Sequence, residues 1–254
     1  MTTQKHSTPT SSDSTPTSSV TGAIALVTGA NRGLGRHIAA RLVSRGAAKV
    51  YAAARNPESV DLPGVVPLRL DVTDDSQIAE AAAIASDVTL LVNNAGISRP
   101  GALLDTPLEN VRAELDTNFW GVLAMVRAFA PVLAGTGGGT IVNVLSAQSW
   151  FAYPGTNGYH ASKAAAWAIT NGFRLELADQ GTRVVAVHAG AFDTDFTADY
   201  DGPKEDPADI ARATIDGLET DSVEILTDDW TRWVKSFLGQ DPATFYAELG
   251  ASGA

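Results

Sequence analysis

A tyrosine and a lysine four positions apart are the residues in this sequence whose types and spacing could carry out proton transfer. Tyr159 and Lys163 occur in the stretch Tyr-His-Ala-Ser-Lys, and this spacing places two side chains on one face of a helix. A phenol loses its proton near pH 10, but a nearby cation favours the phenolate. The pair therefore predicts a tyrosine that exchanges a proton near neutral pH, with its pKa lowered by about 3 units beside the Lys163 ammonium.

A serine upstream of this pair follows a predicted strand, Thr140–Leu145. The carboxyl ends of the strands in an open α/β sheet face the ligand crevice. We therefore expect Ser146 to hydrogen-bond the substrate oxygen beside Tyr159.

A glycine-rich turn, Thr28–Gly35, lies between the predicted strand Ala23–Thr28 and a predicted helix. Its glycines let the backbone turn tightly and approach a pyrophosphate, and the helix that follows points unpaired N–H groups at the anion. An ordinary loop between a strand and a helix is the alternative interpretation, but the strand–turn–helix context favours dinucleotide binding.

The residues after this turn favour a phosphorylated ribose. An NAD site usually carries an acidic residue about 20 positions after the glycine turn, whereas the segment Val50–Arg55 contains none. Arg55 ends this segment and Arg32 lies in the glycine turn, and a guanidinium group bonds phosphate with a planar fork. The sequence therefore predicts NADP(H) as cofactor, unless both arginines are solvated surface charges.

The elements that must position these residues are short apolar strands alternating with helices. Most of the strands lack apolar–polar alternation, which is typical of a parallel sheet covered on both faces. The pattern predicts an α/β fold, a Rossmann-type doubly wound parallel sheet of about seven strands with helices on both faces, as a single domain over residues 21–254. The predicted strands are Ala23–Thr28, Lys49–Ala53, Val65–Leu70, Val88–Val92, Thr140–Leu145, Arg183–His188 and Val223–Leu226.

Two long helices are predicted, Pro107–Leu133 and Gly155–Gln180. Thr106, Asp206 and Asp241 each precede a proline, and each is predicted to cap the helix that follows. The first segment, residues 1–20, is rich in serine, threonine and proline and is predicted to be a disordered tail without the apolar core of a secretion signal.

Composition excludes several classes of function. No apolar run reaches the roughly 20 residues that a membrane helix needs, and the net charge of −11 disfavours a nucleic-acid partner. The chain has no cysteine, which fits a cytoplasmic location. Its four histidines show no ligand spacing, so no metal site is predicted.

These motifs together resemble the short-chain dehydrogenase/reductase family over residues 21–227. The matching segments are Thr28–Gly35, Asp71-Val72, Asn93–Gly96, Asn118, Ser146, and Tyr159 with Lys163. The resemblance implies an enzyme that transfers a hydride between the nicotinamide of NADP(H) and a carbonyl or alcohol carbon of a small molecule. The catalytic residues that it implies are Asn118, Ser146, Tyr159 and Lys163.

The resemblance also implies roles in cofactor binding. Asp71 would contact the adenine, and Asn93 would pass the adenine ribose and steady the sheet. Asn118 would hold a water that relays protons to Lys163, which would also bond the nicotinamide ribose. The implied cofactor-binding residues are Gly29, Asn31, Arg32, Gly33, Leu34, Gly35, Arg55, Asp71, Val72, Asn93, Ala95, Gly96, Tyr159, Lys163, Gly190, Phe192 and Thr194.

Two departures from the family pattern change these expectations. Ala189 stands where the family has proline before Gly190, so the backbone of this loop is less fixed and nicotinamide positioning is expected to be looser. The chain ends on an aromatic stripe of Trp230, Trp233 and Phe237 instead of a glycine-rich interface strand. We expect this stripe to pack on the chain's own core, which puts the family tetramer in doubt and leaves a homodimer through the long helices or a monomer.

Aromatic residues near the site predict a hydrophobic substrate, because ligand pockets are mainly apolar with a few placed polar groups. The predicted pocket residues are Ser146, Trp150, Phe151, Tyr153, Phe192, Phe196 and Tyr200. The alternative is that half of the aromatic residues simply fill the core.

Two other functions stay open at this point. A sensor could bind NADP(H) without chemistry, since fold does not fix function, but it would not need the implied catalytic set. A dehalogenase of the same fold would carry arginine in place of Lys163 and would lack a working dinucleotide turn, and both features are opposite here.

Overall fold

Seven parallel strands form one sheet in this computed structural model, which describes residues 20–251. The strands are β1 (Ile24–Thr28), β2 (Lys49–Ala54), β3 (Val66–Arg69), β4 (Leu90–Asn93), β5 (Gly139–Val144), β6 (Thr182–His188) and β7 (Glu224–Leu226). All seven predicted strands are present, with ends shifted by at most two residues. The predicted fold class is therefore confirmed.

Helices cover both faces of the sheet. They are α1 (Gly33–Ser44), α2 (Asp75–Ile84), α3 (Leu108–Leu115), α4 (Gly121–Gly135), α5 (Asn157–Glu176), α6 (Pro207–Leu218), α7 (Asp229–Ser236) and α8 (Pro242–Ala251). In β1, Ala25 and Val27 face the layer of α1 and α6, whereas Leu26 faces the layer of α2, α4 and α5. Successive strand residues point to opposite faces, so burial on both sides explains the missing polar alternation.

The strand order reverses beside β1. The order is β3-β2-β1-β4-β5-β6-β7, so β2 and β3 extend the sheet from one side of β1 and β4 to β7 extend it from the other. Loops that leave the carboxyl ends of β1 and β4 consequently turn away from each other and leave a crevice. The predicted site residues lie at this edge of the sheet.

The two predicted long helices are present, and the first contains an unpredicted break. Helical structure runs from α3 into α4, but Asp116–Trp120 forms a π-helical turn between them. Such turns are frequent at functional sites. Asn118 lies at the centre of this turn, so the break determines where its side chain is presented.

The helical stretch Leu108–Gly135 is, within residues 20–251, the one helix that is long and apolar enough to cross a membrane by length and composition. This differs from the expectation that no segment would qualify. Its residues Met125, Phe129 and Leu133 are fully buried against the sheet, which accounts for the apolar composition of the second half of the stretch.

Two of the three predicted caps are confirmed. Asp206 accepts a hydrogen bond from the Ala208 N–H at the start of α6, and Asp241 accepts one from Ala243 at the start of α8. The capping role of Thr106 is wrong. Pro107 stands at the cap position without a side-chain hydrogen bond, and the Thr106 hydroxyl lies instead against Gly101, 2.5 Å from where a Cβ would stand.

The predicted tail, residues 1–20, lies outside the described residues except for its last position. Val20 is only 2% exposed and packs in the core layer of α1 and α6. The boundary at residue 20 is therefore wrong by one residue, because this valine offers apolar surface that the core buries. Residues 252–254 of the predicted domain also lie outside the described part.

The C-terminal aromatic stripe packs inside the molecule, as predicted. Trp230, Trp233 and Phe237 form a cluster with Phe151 and Phe245. Trp230 stacks on Trp233 at 4.9 Å between ring centroids, and Phe237 meets Phe245 edge-to-face at 5.5 Å. This cluster fastens α7 and α8 to the segment that follows β5.

Gly35 tests how tightly α1 packs against the glycine turn. A Cβ at this position would stand 2.3 Å from the Gly29 carbonyl oxygen, so we expect Gly35→Ala to lower the free energy of unfolding by about 1–3 kcal/mol. Gly172 lies inside α5 with no atom within 4 Å of its Cβ position. As the control, Gly172→Ala should raise stability by about 0.5–1 kcal/mol. Urea denaturation measures both, and an unchanged midpoint for Gly35→Ala would contradict the packing.

Candidate active site

The structure brings the predicted proton-transfer residues together at the carboxyl end of β5. Ser146 follows this strand, and Tyr159 lies in the first turn of α5. The Ser146 hydroxyl lies close enough to the Tyr159 phenol to lower its pKa, and it donates a hydrogen bond to the Ala189 carbonyl oxygen at 3.4 Å. A substrate oxygen beside the phenol would therefore meet two hydroxyl groups at once.

The Tyr159 phenol is 9% exposed. Burial raises its pKa to about 12, against a smaller opposing effect of the Ser146 hydrogen bond. The phenol consequently keeps its proton near neutral pH, while the raised pKa also makes it a weaker proton donor than a phenol in water.

The pKa of Tyr159 is raised among the chain's own residues, and the lowering expected from Lys163 together with the charge of an oxidised nicotinamide stays a prediction. The Lys163 Nζ lies 5.8 Å from the centroid of the Tyr159 ring and donates a hydrogen bond to the Val144 carbonyl oxygen at 2.9 Å. Burial also lowers the pKa of Lys163 to about 8. The cost of removing water from the phenolate outweighs the attraction of an ammonium that is held by another group.

The Asn118 side chain fixes the loop after β4. Its Oδ1 accepts from the Ile97 N–H, and its Nδ2 donates to the Ile97 carbonyl and to the Ser162 hydroxyl, each at 2.9 Å. A Cβ on Gly96 would stand 3.1 Å from Asn118 Oδ1 and 3.6 Å from Lys163 Nζ. Asn118 thus lies near Lys163, and its predicted role in a water relay stays a prediction.

The glycine turn has the backbone that the sequence predicts. Gly29 and Gly33 have φ of 65° and 52°, a region that glycine enters without strain. Arg32 precedes α1 and offers no side-chain cap, so the first N–H groups of this helix stay open to an anion. The buried Leu34 anchors the helix in the core.

Two asparagines hold this turn in place. Asn94, whose role the sequence did not reveal, donates from Nδ2 to the Thr28 carbonyl oxygen at 2.9 Å. A Cβ on Gly35 would stand 2.4 Å from that nitrogen. Asn31 donates to the Ser59 hydroxyl at 3.0 Å and so ties the turn to the loop after β2. Only the tertiary contact between β1 and β4 gives Asn94 its role.

The two arginines that were expected to face a ribose phosphate differ from each other. Arg55 is exposed just after β2 and has no ion pair among residues 20–251. Arg32 pairs with Asp195 at 3.0 Å, with 65% and 81% of the two side chains exposed. The expectation of two free guanidinium groups is therefore corrected for Arg32. An exposed pair contributes at most about 1 kcal/mol, so an anion can displace it.

A narrow crevice opens between the ends of β1 and β4. It is lined by Thr28, Val72, Asn93, Ala95, Thr117, Gly121, Val122 and Met125. Asn93 donates to the Asn143 side chain at 2.8 Å, which joins β4 to β5, while its buried Oδ1 has no hydrogen bond to the described residues. Asp71 accepts from the Thr73 hydroxyl at 2.7 Å. The Asn93 side chain is thus held in place by one hydrogen bond, and its Oδ1 is left to accept another from a ligand.

The loop after β6 is tethered despite its missing proline. The Gly190 N–H donates to Asp228 Oδ2 at 2.8 Å. The second oxygen of Asp228 accepts from the Thr231 N–H and hydroxyl at the start of α7, and Asp228 is 5% exposed. The loop that was expected to be looser is therefore held by a buried carboxylate.

Further along this loop, Thr194 reaches the glycine turn. Its Cγ2 lies 3.6 Å from the Cβ position of Gly33, and its buried Oγ1 has no hydrogen bond within the described part of the chain. Phe192 packs against the core layer of α1 and α6. The Thr194 hydroxyl is thus available to a ligand at the glycine turn. Phe192 instead anchors the loop to the core layer of α1 and α6.

The predicted pocket residues divide into two groups. Phe196 meets the Tyr159 ring edge-to-face at 5.7 Å, and burial together with the Tyr153 phenol raises the pKa of the neighbouring Tyr200. Trp150 stacks on His188 at 3.9 Å, and Phe151 lies in the C-terminal aromatic cluster with 8% exposure. Trp150 and Phe151 therefore fill the interior, which corrects their assignment to the pocket wall.

Comparisons with known proteins identify the family of the chain. The family model of the short chain dehydrogenases matches residues 23–204. An uncharacterised oxidoreductase of Staphylococcus aureus strain MW2 is 34% identical over 205 residues, which cover 74% of this chain and 87% of that protein. The NADPH-dependent 1-acyldihydroxyacetone phosphate reductase of Schizosaccharomyces pombe is 35% identical over 170 residues, which cover 64% of this chain and 57% of that protein.

A solved structure is similar over a larger share of the chain. The short chain dehydrogenase from Burkholderia cenocepacia J2315 in complex with NADP is 39% identical and has a TM-score of 0.87, covering 91% of this chain and 98% of that one. With the strand order, the glycine turn and the arrangement of Ser146, Tyr159 and Lys163, these matches lead to one conclusion. The chain belongs to the short-chain dehydrogenase/reductase family of oxidoreductases.

Proposed function

We propose that this chain is an NADP(H)-dependent carbonyl reductase that interconverts a carbonyl and an alcohol on a small hydrophobic molecule. One observation carries the proposal: the Ser146 hydroxyl lies close enough to the Tyr159 phenol to lower its pKa, beside the buried Lys163. This arrangement binds one oxygen atom and delivers one proton to it.

Several features of the chain fit a dinucleotide. Gly29 and Gly33 form a turn without side chains in front of the open amides of α1, which suits a pyrophosphate. Asn93 Oδ1 and Thr194 Oγ1 are buried polar atoms without hydrogen bonds to described residues, and buried polar atoms are normally paired. The relatives whose names mention NADP or NADPH support the same cofactor.

The residues that would hold the cofactor are those of the sequence prediction. The glycine turn would hold the pyrophosphate, Arg55 the 2′-phosphate, Asn93 and Asp71 the adenosine, and Thr194 the nicotinamide side. When bound, the nicotinamide ring supplies or accepts the hydride. Arg55 favours a phosphorylated ribose because the segment Val50–Arg55 contains no acid that would repel it.

The chain's own residues manage the proton. Tyr159 holds its proton at neutral pH because burial raises its pKa to about 12, and in the proposed reaction it gives this proton to the carbonyl oxygen as that oxygen becomes an alcohol. Ser146 donates a hydrogen bond to the same oxygen and orients it. Lys163, bonded to the Val144 carbonyl oxygen at 2.9 Å, fixes α5 against the end of β5.

The substrate side favours an apolar molecule. Phe196 lies against the Tyr159 ring and is 42% exposed, while Tyr153 and Tyr200 add half-buried aromatic surface. Aromatic walls with two polar hydroxyl groups suit a hydrophobic or aromatic ketone or aldehyde.

A non-catalytic NADP(H) sensor is the main rival. A sensor has no need of a serine, a tyrosine and a lysine close together at the end of β5, so the arrangement of these residues argues against a sensor. The predicted homodimer through the long helices and the predicted cytoplasmic location stay predictions. Trp120, 56% exposed beside α4, is apolar surface consistent with that dimer.

Tyr159→Phe separates the enzyme from the sensor. We expect turnover of an aryl ketone to fall by about 10³-fold, since general acid catalysis contributes roughly 10²–10⁴-fold, while NADPH affinity stays unchanged. Tyr51→Phe is the matched control, because the Tyr51 hydroxyl bonds Asp87 at 3.0 Å and touches none of the site residues. Parental turnover by Tyr159→Phe in a steady-state NADPH consumption assay would refute the assignment.

Arg55→Asp tests the ribose phosphate. We expect the ratio of kcat/KM for NADPH over NADH to fall by about tenfold or more, since an acid repels the phosphate and the loss of a charged contact exceeds about 1.4 kcal/mol. Arg127→Asp, on the exposed side of α4, makes the same charge change away from the site. A ratio that moves equally in both variants would remove the case for a phosphate contact.

Asp228→Ala tests the tether of the loop after β6. We expect it to weaken NADPH binding about tenfold and to destabilise the fold by about 1–3 kcal/mol. Asp74→Ala removes another aspartate cap, that of α2, and should cost about 1 kcal/mol of stability without changing NADPH affinity. Titration of NADPH fluorescence measures the affinity of both variants, and urea denaturation measures their stability. Equal NADPH affinities in the two variants would show that the tether does not serve the cofactor.

A further inference from the structure

Glu114 is a buried carboxyl group that the chemistry above does not use. It lies on α3 and is 1% exposed. Glutamate is almost never fully buried unless it is paired. The buried Glu114 carboxyl group therefore needs hydrogen-bond partners inside the protein.

The two oxygens of Glu114 contact two different segments. Oε1 accepts a hydrogen bond from the Arg99 N–H at 2.6 Å, in the loop after β4. Oε2 lies against Gly158, where a Cβ would stand only 2.2 Å away. Gly158 precedes Tyr159, so the carboxyl group touches the turn of α5 that carries the phenol.

The start of α5 has no side-chain cap. The Thr156 hydroxyl at the cap position is hydrogen-bonded to His160 Nε2 at 2.8 Å and not to a backbone N–H of the helix, and the positive end of a helix favours a carboxylate nearby. The same two segments also meet directly, because the Gly101 N–H donates to the Gly155 carbonyl oxygen at 2.6 Å. Glu114 thus joins the loop after β4 to the first turn of α5.

The charge of Glu114 also acts on the phenol. The pKa of Tyr159 is raised first by burial and further by the Glu114 charge. Burial raises the pKa of Glu114 itself, while the Arg99 hydrogen bond and charge oppose this. The other titratable groups around this turn are Lys163 and His160. Burial lowers the pKa of His160 to about 4, so His160 is neutral there.

We propose that Glu114 is a positioning residue for Tyr159, which clamps the first turn of α5 to the loop after β4 and presents a negative charge that keeps the phenol protonated. This inference rests on the proposed function, because it assumes that Tyr159 is the proton donor. A carboxylate favours the neutral phenol over the phenolate, since two like charges repel. Removing the charge should therefore let Tyr159 lose its proton at lower pH.

Glu114→Gln and Glu114→Asp separate charge from position. With acetophenone and NADPH, the rate of reduction falls at high pH first as Lys163 loses its proton and again as the phenol loses its own, and the second fall gives the midpoint of the phenol. We expect the midpoint of this fall to move to lower pH by roughly half a unit or more in Glu114→Gln. Glu114→Asp keeps the charge but shortens the clamp, so it should keep the midpoint and lower kcat several-fold. Glu109→Gln, on the exposed side of α3, is the matched control and should change neither.

A second readout does not depend on turnover. The ultraviolet absorbance of the phenolate, taken as the difference from a Tyr159→Phe background, should appear at lower pH in Glu114→Gln than in the parent. Unmoved midpoints in both measurements would overturn the inference, and so would a shift in Glu114→Asp as large as that in Glu114→Gln. If Tyr159→Phe itself kept parental turnover, the proposed function would fall instead. If that variant were inactive and Glu114→Gln unshifted, only the role of Glu114 would fall.

Discussion

The contact between Lys163 and the Val144 carbonyl oxygen is the interaction on which the site depends. A buried ammonium has to find an acceptor, and here the acceptor is the backbone at the last residue of β5. This contact fixes the rotation of α5 relative to the sheet. Tyr159, one turn earlier on the same face, is thereby held beside Ser146.

The parts of the fold that depend on local sequence could be predicted from the chain alone. Seven apolar runs predict seven strands, because strands that are buried on both faces have apolar residues at successive positions. Gly29 and Gly33 predict the turn, since their backbone conformation is unfavourable for other residues. The spacing of Tyr159 and Lys163 predicts their shared face for the same local reason.

The parts that depend on distant contacts could not be predicted. Nothing near Arg32 in sequence indicates that Asp195 pairs with it, or that Asp228 would replace a missing proline by holding Gly190. The sequence of Asp116–Trp120 did not indicate the π-helical turn at Asn118 either. Even the sign of the Tyr159 pKa shift depended on burial, which a spacing pattern does not contain.

Burial and Glu114 act on the Tyr159 proton in the same direction. Removing water from Tyr159 favours the neutral phenol, and the Glu114 charge adds to this effect. Lys163, with its pKa lowered to about 8, is still mostly an ammonium at neutral pH, but its hydrogen bond directs it at Val144. Burial and the Glu114 charge prevail, so the phenol among these residues carries its proton at neutral pH.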